Sequence, residues 1–404
     1  MFDSIKRALG GDSTNRQSEI LEELTRVREA QDTRRQQLID KRSSRLQALF
    51  PEGPVEGFSA GRYPGLAPLN FEEDEQQPWM VAAATGIIDN FPGSDAMLVR
   101  LDATFRGFAD ANHYRVVEGG PYAEHLTWQN EIFSCWDLEG DVPIYISSGA
   151  ACGILCYQEP IVVLGRMTLD VLDQEEQRFL LAARLGHVFF GNLKIFQFYR
   201  LMEMFDKLPS MTSLITRGIG MIPGVGNTIS RGIELARSLN NEVIRKTNLV
   251  VGQRQHVLCD RLASLALGTT DVAQRFYAKA ALGGEHCLGP GVRERLIEQG
   301  REVRERFERG EIDLSMLSVV GPDNEFAALR AFKLDEWERG EQSKKIAGGY
   351  YVTHSRLREY QRSNKALEDE IRFVENRLLE LHKKEDKLNE ELNRLLTAEV
   401  EESA

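Results

Sequence analysis

The chain reads as an α+β protein, mainly helical with a small sheet, flanked by long helices and ending in a coiled coil. Three observations point there. Apolar residues recur at helical spacing through most of the length. Three short runs, at 113–118, 142–147 and 160–165, are instead rich in β-branched residues and bounded by Gly, Pro or Asp. From Leu357 to Leu395 apolar residues alternate in steps of three and four, as a coiled coil requires.

Taken in order, residues 1–15 read as a flexible tail. Phe2, Ile5 and Leu9 share a face beside Lys6 and Arg7, but so short a helix, followed by Gly10 and Gly11, is marginal alone. That face leaves peripheral membrane contact open. Residues 16–50 predict a long helix with an incomplete stripe: Ile20, Leu21, Leu24, Val27, Leu38, Ile39, Leu46 and Leu49. Residues 51–78, punctuated by Pro51, Pro54, Pro64, Pro68 and Pro78 and by four glycines, predict a linker. The globular part, 79–347, starts near Trp79, with a helix over 94–110 carrying Met97, Leu98, Leu101, Phe105 and Phe108. The glycine-rich segment 209–235 has no Gly-Lys-Ser/Thr end and no strand before it, so it predicts a hairpin or helix crossing rather than a phosphate loop.

The coiled coil spans 348–399 and places polar Asn364 and Glu385 at seam positions, where such residues fix register and partner number. Periodicity does not name the partner. A second copy and the helix 16–50 both remain open.

Composition sets further bounds. At 404 residues the chain exceeds the ~100–200 of one ordinary domain. A net charge of −12, from 62 acidic and 50 basic residues without a basic run, argues against nucleic acid. The five cysteines are odd in number and scattered, which fits a reducing cytoplasm. Cys152 and Cys156 sit in an apolar stretch and read as buried small hydrophobes rather than ligands. No run of roughly 18 uncharged apolar residues predicts a transmembrane segment.

Chemistry concentrates in three segments. At Asp173 a cap, with Glu176 three residues on, opens a helix that ends Ala182-Ala183-Arg184-Leu185-Gly186-His187. Gln255-His256-Val257-Leu258-Cys259-Asp260 follows, and then Phe326, Arg330 and Leu334 within 324–337. In this order the segments resemble the HtpX and CAAX-prenyl-endopeptidase family of zinc metallopeptidases. In that family a strand and a leucine–acidic turn lead into H-E-x-x-H, an E-x-x-A-D motif supplies the third ligand, and an arginine-bearing segment follows.

What the resemblance implies is a metallopeptidase-like domain over 79–347 with a degenerate site. Histidines at i and i+4 share a helix face and reach one Zn²⁺, and the glutamate between them activates water. Here Ala183 stands at the first histidine, Arg184 at the glutamate, and only His187 survives. His256 replaces the family's glutamate, and Asp260 matches its aspartate. Alanine has no donor, and arginine stays protonated. The expectation is therefore a pseudopeptidase without a catalytic residue or cofactor, which binds proteins through its cleft and coiled coil and forms a homo-oligomer. The alternative is an atypical zinc metalloendopeptidase using His187, His256 and Asp260.

Overall fold

A computed structural model describes residues 2–71, 94–197, 255–282, 289, 291–309, 311 and 326–403. The glycine-rich segment 209–235 lies outside the described residues, as does most of the start of the expected globular part. In chain order the elements are α1 (Phe2–Leu49), a 3-10 turn (Pro68–Phe71), α2 (Ser94–Asn112), β1 (Tyr114–Arg115), α3 (Glu124–Trp136), β2 (Ile144–Ser147), β3 (Gly153–Leu155), β4 (Ile161–Gly165), α4 (Arg166–Leu169) and α5 (Gln174–Phe189). There follow α6 (255–267), α7 (Asp271–Leu282), α8 (Val292–Glu308), α9 (Ala327–Arg339), α10 (Glu341–Ala347), α11 (His354–Ser363) and α12 (Lys365–Ser403). The class is α+β, mainly helical with one four-stranded sheet. Contacts group the chain into two units, one of Met1–Leu49, Glu73–Ala83 and Arg358–Ala404, the other of Phe50–Glu72 and Ala84–Leu357.

The first unit holds α1 and α12 as an antiparallel pair. Arg16 pairs with Glu391 at 2.8 Å, Lys384 with Glu23 at 2.7 Å, and Arg42 with Glu375 at 2.6 Å, so one helix ascends as the other descends. Of the two partners the heptad pattern allowed, α1 of the same chain covers the stripe. Ile20, Leu24 and Val27 pack with Leu381, Leu388, Leu392 and Leu395 at one stretch of the seam. Leu38 packs with Leu367, Ile371, Val374 and Leu378 at the other.

Two expectations are corrected here. Residues 2–15 are helical, because α1 is continuous from Phe2. Extending a formed helix adds a hydrogen bond per residue, whereas only the first turn is unfavourable to nucleate, and two glycines cost only about 1 kcal/mol each. The C-terminal stripe is not one helix either. It breaks at Asn364, whose side chain and backbone N–H both turn back to the Tyr360 carbonyl (3.2 and 2.8 Å), so the seam with α1 begins at Leu367.

In the second unit the sheet has the order β1-β2-β4-β3, with β2 and β4 parallel and both outer pairs antiparallel. β2 and β4 are buried throughout because both faces are covered, which explains their nearly unbroken apolar runs. Alternation divides them. Ile144, Ile146, Val162 and Leu164 join the main core with α5, whereas Tyr145, Ile161 and Val163 pack with Ala109 and Phe105 of α2 and with Cys156. The strand β3 lies outside the three runs that the sequence predicts as strands.

The Pro/Gly-rich stretch is irregular, as its composition demands, but over 51–71 it is packed rather than a free linker. Tyr63, Leu66, Ala67, Leu69, Asn70 and Phe71 are buried. Ala67 donates to Val352 O at 3.0 Å and His354 N–H to Gly65 O at 2.8 Å. The Asn70 side chain accepts from Val352 N and donates to Val352 O, both at 2.7 Å. Prolines and glycines exclude helix and strand; they do not exclude a backbone whose polar groups are satisfied elsewhere.

Candidate functional site

The helix α5 is fixed at its start by a full capping box. The Asp173 carboxylate accepts from Glu176 N–H and the Glu176 carboxylate from Asp173 N–H, each at 2.9 Å. Glu176 also accepts from Lys279 of α7 at 2.7 Å, with both side chains buried. α5 then runs through the core, burying Phe179, Leu180, Leu181, Ala182, Ala183 and Leu185, and delivers His187 on its last turn.

Close approach of α5 and α6 determines what His187 meets. A Cβ built on Gly186 would lie 3.0 Å from the Cys259 Cβ and 3.1 Å from its Cα and Sγ, so the helices touch here because residue 186 has no side chain. One turn away, the His187 and His256 rings stand perpendicular at 88°, with centroids 5.2 Å apart, and Phe196 packs on both. The sequence segments carrying the two histidines are thus brought together.

Polar partners orient His187. Its Nδ1 lies 3.0 Å from Asn192 Oδ1, and Asn192 Nδ2 donates to Gln255 Oε1 at 2.7 Å. Because Asn192 offers its oxygen to the ring, the chain Gln255–Asn192–His187 places the imidazole proton on Nδ1. Asn192 and Gln255, buried with His187, were not singled out in the sequence. Amide side chains carry no motif of their own, and the one available signal was adjacency, five residues after His187 and one before His256.

Asp260 is committed elsewhere. Its two oxygens accept from Arg330 of α9, Oδ2 from Nε at 2.8 Å and Oδ1 from Nη2 at 2.7 Å, and Arg330 lies over the Tyr277 ring, 5.1 Å from its centroid. Burial opposes the Arg330 charge, but Asp260 and Tyr277 outweigh it, so the guanidinium is held above its usual range. Burial pushes the Tyr277 hydroxyl well up as well.

The resident groups do not fit a catalytic zinc. Ala183 is buried and has no donor atom. Cys259 is buried, and burial pushes its thiol well above the ordinary range despite the nearby cations Arg330 and Arg184, which opposes the thiolate a metal needs. Asp260 would have to leave a bidentate buried partner. Among the described residues no group of three or more His, Cys, Asp or Glu side chains is placed to hold a metal ion. The arrangement is that of a packed polar core: one histidine hydrogen-bonded, one at its edge, one carboxylate neutralised by arginine.

Cys156 is buried in the sheet's second cluster and donates to Asp102 O at 3.5 Å, and the half-buried Cys152 Sγ accepts from Gly165 N–H at 3.1 Å. Both flank β3; Cys156 is buried as expected, whereas Cys152 is only half-buried. Among the described residues no helix is long and apolar enough to cross a membrane. Searches against protein-family models, curated proteins and solved structures find no match to the chain.

Proposed function

We propose that the chain is a metallopeptidase-like protein without peptidase activity, akin to the HtpX and CAAX-prenyl-endopeptidase family, that serves as a cytoplasmic protein-binding scaffold through its helical arm and cleft. The observation that carries the reading is the pairing of His187 with His256 at 5.2 Å while Asp260 is held on both oxygens by Arg330. Two segments that resemble the family's motifs pack together, with Ala183 and Arg184 at the positions of a ligand and the base and Asp260 engaged by Arg330. The arm supports a binding role, since the exposed residues of α1 and α12 whose side chains are described are mainly charged, with Leu21 and Phe373 exposed among them. Partners are proteins, a second copy of this chain among them.

The second reading is an atypical zinc metalloendopeptidase using His187, His256 and Asp260: the paired imidazoles support it, and the hold of Arg330 on both Asp260 oxygens opposes it. The two separate on substitution of the arm. Changing Leu378 and Leu381 together to lysine places charge in the seam of α1 and α12. On the scaffold reading, co-purifying proteins and any oligomer are lost while the second unit stays folded. Retention of the same partners and mass by that variant contradicts it.

A further inference from the structure

Between the two apolar stretches of the α1–α12 seam lies a polar layer. Gln31 is 2% exposed, in the position where Leu24 and Leu38 stand one heptad either side. Its Nε2 donates to Glu385 Oε2 at 2.8 Å, and Arg28 Nε donates to Glu385 Oε1 at 2.9 Å, so each carboxylate oxygen has a partner from α1. His382 completes the layer, with Nδ1 3.3 Å from Gln31 Nε2 and Nε2 3.4 Å from Arg35 Nη2. Arg35 is in turn held by Asp32 at 3.1 Å.

The bonds from Gln31 and Arg28 to Glu385 form in one register alone. In an antiparallel pair a slip of one heptad sets Leu378 or Leu392 opposite Gln31, and Leu24 or Leu38 opposite Glu385. Both slips bury an amide and a carboxylate against leucine, the situation in which a polar group loses its water without gaining a partner. Parallel pairing of α12 with α12 of a second copy sets Glu385 against Glu385, with neither Arg28 nor Gln31 to meet them.

We propose that the Gln31–Glu385 layer is the register and partner key of the arm, selecting the in-register antiparallel pairing of α1 with α12 over slipped pairings and over parallel α12 dimers. The inference does not depend on the proposed function. It makes the layer a device of specificity, so its removal should relax pairing without unfolding the helices.

Native residues report the register directly. A zero-length carbodiimide joins carboxylates to amines in contact, and Glu23–Lys384, at 2.7 Å, and Glu370–Lys41 are such pairs near opposite ends of the seam. A one-heptad slip removes both, because the residues then facing Glu23 or Glu370 are Arg377, Glu391, Arg34 or Ala48. In the 404-residue chain both cross-links should form within one chain. In Gln31→Leu with Glu385→Leu they should be lost or diluted by slipped and inter-chain products, with helicity by circular dichroism retained. Glu385→Gln, which keeps an acceptor for Arg28 and Gln31, should retain both cross-links. If the double-leucine variant gives both cross-links at wild-type yield within one chain, or loses its helicity, the layer is not the key.

Discussion

Glu176 and Lys279 pair at 2.7 Å in the core, with side-chain exposures of 0% and 2%, and join the cap of α5 to α7. Glu176 serves two ends at once, since the carboxylate that meets Lys279 also accepts from Asp173 N–H. Removing one partner leaves the other charge buried. Lys279→Met is therefore expected to lower stability by about 3–5 kcal/mol. Glu176→Gln, which keeps part of the capping interaction, should be milder than Glu176→Ala. Denaturant melts of the three variants check the order, and a loss below about 1 kcal/mol for Lys279→Met would mean the pair contributes little.

The contact between Gly186 and Cys259 is tight for any side chain, since an added Cβ would stand 3.0 Å from the Cys259 Cβ and the two helices would have to give. Gly186→Val should force α5 and α6 apart and destabilise by about 1–3 kcal/mol. Pairing it with Cys259→Gly should recover part of that loss, because the obstructing Cβ and Sγ are then gone. Additive losses in the double variant would place the strain elsewhere.

The arm should weaken in acid. Glu385 is held at about 2, below its ordinary 4.5, by hydrogen bonding with His382 first and then Arg28 and Gln31, which together outweigh burial. A carboxyl depressed by folding contributes its full stability above the unfolded value and loses it as pH falls through the folded one. The contribution is thus complete above about 4.5 and lost progressively down to about 2. Unfolding of α1 and α12, followed by circular dichroism across this window, should show a steeper loss in wild type than in Glu385→Gln.

Much of this architecture is legible in the sequence, for identifiable reasons. Helix 94–110 carries Met97, Leu98 and Leu101 on one face, and α2 buries those three. Runs 142–147 and 160–165 are apolar on both faces, and β2 and β4 are covered on both. β3 escaped because Gly153-Ile154-Leu155 is too short to show alternation. The stretch 51–71 reads as a linker in sequence because proline and glycine report the absence of helix and strand, not the absence of packing, yet Leu66 and Phe71 are fully buried. At the site, the segments of His187 and His256 were legible as separate motifs. The Arg330–Asp260 pair and the Asn192–Gln255 relay depend on which helices cross, which one-dimensional spacing does not carry.

Rebuilding the motif tests the alignment on which the functional reading rests. Ala183→His with Arg184→Glu restores H-E-x-x-H on α5, and His187 already faces His256. The variant should gain zinc affinity measurable by titration, and the further change His256→Ala should lower it. No gain in a folded variant would count against placing Ala183 at a ligand position.

The most direct test of the central claim is the zinc content of the purified protein, measured per chain by elemental analysis in wild type and in His187→Ala. The account predicts well under one equivalent in wild type and no change on substitution, because Ala183 offers no donor and Asp260 is held by Arg330. Close to one zinc per chain, lost in His187→Ala, would contradict it.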